Sequence, residues 1–399
     1  MQNKFIKITI LVIVIIATIF TLIVFFAPFS LVINKDDINV YIKPVNEQIK
    51  IITADSSNRF LFMAQVRNNA GEPISGIPIV FNVDNNVGIL SSKTIRTNKF
   101  GEAFVTYIPP DNPLKNIPGD NPDNTNNTDK TKVNVNNIEP IVNVTVSAEV
   151  SKWNKAISRS KFSFSIITVP VVLVHGYQSS GDIFSNMKDY LNSQGFNTVI
   201  HNYDSTKGVS AGAKSLKEFL KEQKTLYLSK GIQLERFDIV SHSMGGIISR
   251  YYSVSSDYIE YNNIRKLIFI SVPHKGSHLA PIGAKYFNDA GVKDMMPESS
   301  LFTELFPSMI NKGLNPYIQT GNIIGQYDEV VSIESAGLQE WRIETRVFNI
   351  GSSKFNVDNF IDGTISHEAI HKLILNNKKV YETIVDMLVR SLPYPSKIN

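Results

Sequence analysis

At 399 residues the chain exceeds one typical domain, and its 43% hydrophobic and 19% charged content is that of a folded protein rather than a disordered one. Forty Lys and Arg against 36 Asp and Glu leave a net charge of +4, and the charges are interspersed, which excludes the basic face of a nucleic-acid binder. There is no cysteine, so disulfides, thiolate metal sites, a cysteine nucleophile and a lipidated cysteine are excluded together.

The first element is apolar. Between Lys7 and Lys35 lie 27 residues without a charge, and Ile8 to Phe29 is almost wholly aliphatic or aromatic. At about 1.5 Å per residue that run reaches about 33 Å, enough for a hydrocarbon core of about 30 Å. A signal-peptide core is shorter, about 7–15 residues, and no small-x-small cleavage pattern follows. Residues 1–35 are therefore expected to form a single-pass transmembrane anchor. Lys4 and Lys7 place its N-terminus inside and the domains outside the cytoplasm; secretion after cleavage is the alternative.

Residues 36–167 read as short strands with turn punctuation. Phe60 to Val66, Pro78 to Val83, Glu102 to Tyr107 and Val142 to Val150 are rich in β-branched and aromatic residues, and Asn69-Ala70-Gly71, Ser75-Gly76 and Lys99-Phe100-Gly101 separate them. This predicts an all-β sandwich. It is interrupted by residues 109–140, whose Asn, Asp, Pro and Thr have little to bury and predict a disordered insertion. The segment RNNAGEPISGIPIVFNV…TNKFGEAFVTY resembles the bacterial Ig-like domains of invasin- and intimin-type surface proteins, which implies a spacer.

After Val169 the rhythm changes. Apolar strands are expected at Pro170 to Val174, Thr198 to His201, Phe237 to Val240, Lys266 to Val272, Asn322 to Gly325 and Arg346 to Ile350. Helices are expected between them, including Ile183 to Ser193, Ala211 to Leu228 and Gly246 to Tyr252, with a last one over Lys372 to Arg390. Alternating strands and helices predict an α/β domain over 168–399, a mostly parallel sheet with helices on both faces. Ligands of such sheets bind at the carboxyl ends of the strands.

The chemistry concentrates at Ser241-His242-Ser243-Met244-Gly245-Gly246, which follows a hydrophobic strand and opens a helix. A small-x-Ser-x-small turn in that setting is a nucleophile elbow: the strained turn lifts the Ser243 hydroxyl above the sheet, and the crowded chain demands small residues on either side. Ser241 stands where glycine or alanine is usual. His242 is expected to point away from the elbow. The first strand ends at His175-Gly176-Tyr177. Here the sequence resembles the lipase and esterase branch of the α/β-hydrolases over roughly residues 168–395, with VPHKGS, HSMGGIISRYY and IIGQYDEVVSIESA reading like bacterial lipases. The resemblance implies an oxyanion hole from the backbone N–H groups of Tyr177 and Met244, with His175 a structural hydrogen bonder, and it places the acid at Asp328.

An acid at the end of that strand also gives the order Ser, Asp, His. Glu329, Asp358 and Asp362 are the alternatives. Of the seven histidines, His201, His274 and His278 precede Asp328, leaving His367 and His371; His371, with Val380 nine residues on, fits the lipase pattern. The reading is thus a serine carboxylic-ester hydrolase with Ser243, Asp328 and His371 as catalytic residues, acting on lipid or other esters and needing no cofactor or metal. Acyl transfer or amide hydrolysis on the same triad, and a catalytically dead adhesion protein, remain as other readings. Leu301, Phe302, Leu305, Phe306, Met309 and Ile310 form one helical stripe interrupted by Pro307. It is either a lid over the site or a helix packed on the sheet.

Overall fold

A computed structural model describes residues 38–111, 142–152, 155–350 and 370–396. The expected anchor, nearly all of the Asn-rich insertion, and the alternatives His367, Asp358 and Asp362 lie outside the described residues. Among the described residues no helix is long and apolar enough to cross a membrane.

Two sheets make up the N-terminal part. One holds the strands Asn39–Pro44, Phe60–Arg67, Glu102–Ile108 and Ile89–Leu90, all antiparallel. The other centres on the long hairpin Val142–Lys152 and Lys155–Ile167, with Pro78–Val83 and Thr94–Arg96 on one side and Ile51–Thr53 on the other. Alternation along the strands sends one face of each sheet inward. Phe60, Phe62 and Tyr107 from the first sheet thereby meet Phe164, Val144 and Ile79 from the second in one core. Phe164 takes the edges of Phe60 and Tyr107 at centroid distances of 5.1 and 5.0 Å.

The C-terminal part is an α/β-hydrolase-like fold. Its six parallel strands run in the order Thr198–His201, Val171–Val174, Phe237–His242, Ile264–Ile270, Gln319–Gly325, Thr345–Phe348. The strands read as unbroken apolar runs because both faces are covered. Val172, Val174, Ile239, Leu267 and Phe269 face the helices Gly208–Ser229 and Met244–Val254. Their neighbours Val171, Leu173, Val240, Ile268 and Ile270 face Ser185–Ser193 and Lys378–Val389. Lys266 is buried in this sheet, and its ammonium donates to the carbonyls of Met387, Leu388 and Arg390 at 3.0, 2.6 and 2.8 Å. It thus caps the C-terminal end of the last helix, where a cation is favoured, although burial pulls its pKa down to about 8.

Two expected helices are corrected. The last one is broken into Ile370–Leu373, a 3-10 turn Ile374–Asn376 and Lys378–Val389, because the Asn377 side chain accepts from Lys379 N and starts a new helix. The Leu301 to Ile310 stripe is also not one helix. It runs as a π-turn Leu301–Leu305, then Phe306–Ser308 with Pro307 in its first turn, and Met309 is extended. Leu301 and Phe306 belong to the core, with Phe302 and Met309 packed against it, while Leu305 and Ile310 face solvent. Arg250 clamps the segment from below. Its guanidinium lies 3.9 Å over the Phe306 ring and donates to the carbonyls of Gly313 and His274 at 2.6 and 2.8 Å. The stripe is packed on the core along one side.

The two parts join at the amino ends of the parallel strands. Ile232–Gln233, from the C-terminal part, adds as a parallel edge strand beside Ile51–Thr53. Gly231 (φ +73°) precedes it, and a Cβ there would stand 2.7 Å from the Gln48 carbonyl. Beside this strand Arg236 grips the fully buried Asp55 carboxylate, its Nε at 2.9 Å. Arg265 is paired with buried Asp238 and also donates to the carbonyls of Ala54 and Asp111 at 3.1 and 2.8 Å.

Candidate active site

Ser243 sits between the last residue of the strand Phe237–His242 and the first residue of the helix Met244–Val254, with φ 52° and ψ −129°. A side chain there is strained, of order 1–3 kcal/mol, and is held only because the surroundings over-determine it. Those surroundings are visible. Ser243 N donates to Ile270 O at 3.0 Å and Gly246 N to Ser243 O at 2.9 Å. A Cβ on Gly245 would lie 2.3 Å from the His175 carbonyl oxygen, so that position admits only glycine. Ser241 is fully buried and fits the position two before the elbow.

Three side chains from distant parts of the chain converge. His371 Nε2 lies 2.9 Å from Ser243 Oγ, and His371 Nδ1 lies 2.9 and 3.1 Å from the two oxygens of Asp328. A carboxylate only accepts, so Nδ1 carries the proton and the Nε2 lone pair faces the serine hydroxyl. Asp328 Oδ1 also accepts from the backbone N–H groups of Val330 and Val331 at 2.9 Å each. Burial opposes the Asp328 charge, but His371 and these donors prevail and its pKa lies below the ordinary value. Glu329 is outside this chain of bonds to the imidazole, and burial with Asp328 beside it pushes its pKa up.

The turn after the first strand closes on the elbow: a Cβ on Gly176 would come 2.8 Å from Ser243 Cβ. His175 is structural. Its Nε2 accepts from Tyr203 N at 3.3 Å, its Nδ1 donates to Gly176 O at 2.9 Å, its ring stacks on Tyr203 and burial lowers its pKa. The N–H groups of Tyr177 and Met244, one on each side of this junction, have no protein acceptor among the described residues. For Met244 this is the ordinary state of a helix's first turn.

His242 departs from expectation. It does not point away: its ring packs 4.6 Å from that of His371, and its Nε2 donates to the His371 carbonyl at 2.8 Å. Burial, with His371 second, lowers its pKa to about 3, so it is a neutral donor holding the His371 segment to the elbow. Sequence offers no signal for this, because the partner is 129 positions away.

Beside Ser243 opens a cleft of about 130 Å³ whose apolar side is formed by Leu279, Ala280, Phe287, Val292 and Met295, from the helices Ala280–Phe287 and Ala290–Asp294 and the residues that cap them. None of the Leu301 to Ile310 stripe lines it. Tyr177 spans the cleft's edge, its hydroxyl donating to Asp289 Oδ2 at 2.5 Å. Such a site can deprotonate a hydroxyl, hold an acyl group and shield it from water. Among the described residues no cluster of His, Asp and Glu could hold a metal ion.

Residues 166–288 match the family model described as PGAP1-like alpha/beta domain, a stretch that contains the elbow and the His175-Gly176 turn but ends before Asp328 and His371. No curated protein matches the chain. Among solved structures, the mature form of the Bacillus licheniformis lipase BlEst2 is 15% identical, over 56% of this chain and 92% of that one, with a TM-score of 0.41. Aspergillus fumigatus lipase B is 16% identical over 57% of this chain with a TM-score of 0.41, and the match spans about half, 54%, of its length. The D00-D0 domain of intimin is 18% identical over 33% of this chain and 46% of that one, with a TM-score of 0.20.

Proposed function

We propose that the chain is a serine hydrolase of carboxylic esters, acting on lipids through Ser243, His371 and Asp328. The observation that carries this is the unbroken line of hydrogen bonds from the Ser243 hydroxyl through the His371 imidazole to the Asp328 carboxylate. As Ser243 Oγ attacks the ester carbonyl, His371 Nε2 takes its proton, while Asp328 fixes the tautomer and stabilises the imidazolium. The tetrahedral oxyanion is held by the N–H groups of Tyr177 and Met244, the latter at a helix N-terminus that favours negative charge. His371 then protonates the leaving alcohol, and a water deprotonated by the same nitrogen releases the acyl group. The apolar cleft favours a fatty acyl chain over a short one.

In this reading Ile8 to Phe29 is a single-pass anchor that leaves the domains outside the cytoplasm, and the two-sheet unit is an Ig-like spacer. Labelling the full chain in detergent with a fluorophosphonate tests the reading. A single adduct on the peptide carrying Ser243, together with turnover of aryl esters that rises with acyl length, is expected; no adduct, or a flat and negligible profile, would remove it.

A further inference from the structure

Two neighbouring strand ends of the parallel sheet carry the same strain. Nine non-glycine residues have positive φ among the described residues, and of these only Ser243 and Ser271 are buried. Each directly follows its strand, Ser243 after Phe237–His242 and Ser271, at φ 47°, after Ile264–Ile270. Glycine adopts such a φ freely, and serine does not. At Ser243 the strain presents a hydroxyl for chemistry, and a second serine held the same way beside it points to a use for that hydroxyl too.

The surroundings of Ser271 show what that use is. Its N–H donates to Ile323 O at 2.8 Å, in the strand Gln319–Gly325, and Asp328 stands just beyond that strand's end. The Ser271 hydroxyl is buried and makes no hydrogen bond of good geometry among the described residues. It nevertheless bears on the Asp328 carboxylate: burial opposes that charge most, and His371, the Val331 N–H and the Ser271 hydroxyl in turn favour it. The buried carboxylate has room for a donor. Oδ1 accepts from Val330 N, Val331 N and His371 Nδ1, whereas Oδ2 accepts from His371 Nδ1 alone, and an ionised carboxylate oxygen offers two lone pairs. An underused donor and an underused acceptor thus lie side by side behind the imidazole.

Resting on the serine-hydrolase reading, we propose that Ser271 is a positioning residue for the reaction, its hydroxyl donating to Asp328 Oδ2 and fixing the plane of the carboxylate against His371 Nδ1. With Oδ1 tied to two backbone N–H groups, a donor on Oδ2 stops rotation about the Cβ–Cγ bond and keeps the carboxylate aimed as charge forms on the imidazole. Such contacts are often loose without substrate and tighten as the reaction proceeds.

The test measures kcat and KM for hydrolysis of p-nitrophenyl decanoate by the full chain in detergent, with sites counted by fluorophosphonate titration. Ser271→Ala removes the hydroxyl and keeps the strain, while Ser271→Gly removes both. Each is expected to lower kcat by about tenfold, the worth of one hydrogen bond to a charged group, with KM nearly constant. In an Asp328→Asn chain either change is expected to alter kcat by less than about twofold, because no carboxylate is left to position. An unchanged kcat in either variant, a loss that persists in full beside Asp328→Asn, or a rise in KM alone would overturn the positioning role while leaving the hydrolase standing. A wild type that neither turns over the ester nor takes the fluorophosphonate on Ser243 would bring down the hydrolase reading and this role with it.

Discussion

The two ends of the parallel sheet are built to opposite rules. At the amino ends, buried charges are saturated: Arg265 meets Asp238 and two backbone carbonyls, and Arg236 meets Asp55. At the carboxyl ends, Ser243 is held at φ 52° and Ser271 at φ 47°, and several buried polar atoms, Ser241 Oγ and His242 Nδ1 among them, have no partner among the described residues. One end is where the sheet is welded to the two-sheet unit. The other keeps strain and unspent hydrogen-bonding capacity beside a cleft, which a structure retains only where something else uses it. On the proposed function, stability and chemistry are separated along the length of the same strands, and substitutions at the two ends should be separable too.

The largest effect is expected from Ser243→Ala. It should lower kcat by about 10⁴–10⁶ while the thermal midpoint stays nearly constant; a protein that loses its fold with its activity would break the comparison. Asp328→Asn should follow at about 10³–10⁴ in kcat, since the wrong imidazole tautomer is then favoured. Arg265→Met acts at the other end. It strands a buried carboxylate, for an expected stability loss of about 3–5 kcal/mol in urea titration, with the folded fraction still turning over at nearly the wild-type rate. Adding Asp238→Leu should recover much of that loss, and no recovery would argue against the pair as its source.

His242→Phe keeps the ring packing but removes the donor to the His371 carbonyl, so kcat should fall by about tenfold with a small change in stability. His242→Gln, able to donate again, should regain part of the rate. The smallest effect concerns acid. Burial raises the pKa of Asp55, but Arg236 outweighs it and the folded value lies below the ordinary carboxylate one. The stability this supplies is present above about pH 4 and is lost as pH falls towards the lower folded value. Arg236→Met should therefore flatten the decline of unfolding free energy below about pH 4; an unchanged slope would show that the weld is not what acid releases.

Much of the site could be read before any coordinates. The small-x-Ser-x-small turn is a matter of local crowding: the clash that would follow a Cβ on Gly245 involves the carbonyl of His175, and the glycine it requires shows in the letters. Asp328 could be put forward as the acid because it stands at a strand end, and its carboxylate lies 2.9 Å from His371 Nδ1. The apolar wall of the cleft was not legible. An apolar stripe at helical spacing says that a face is buried, not against what, and Leu301 and Phe306 bury theirs in the core while Leu279 and Phe287 line the cleft.

By itself, then, the order of residues determined the alternation of strands and helices and the strained turn at Ser243, because each depends on neighbours within a turn or a strand. Only the folded chain decided that His242 donates to the His371 carbonyl, that helices 280–287 and 290–294 form the apolar side of the cleft, and that Gly231 to Gln233 stitches one part onto the other. Those are contacts between residues scores of positions apart, and their free energy depends on which surfaces meet, a choice that no local periodicity encodes.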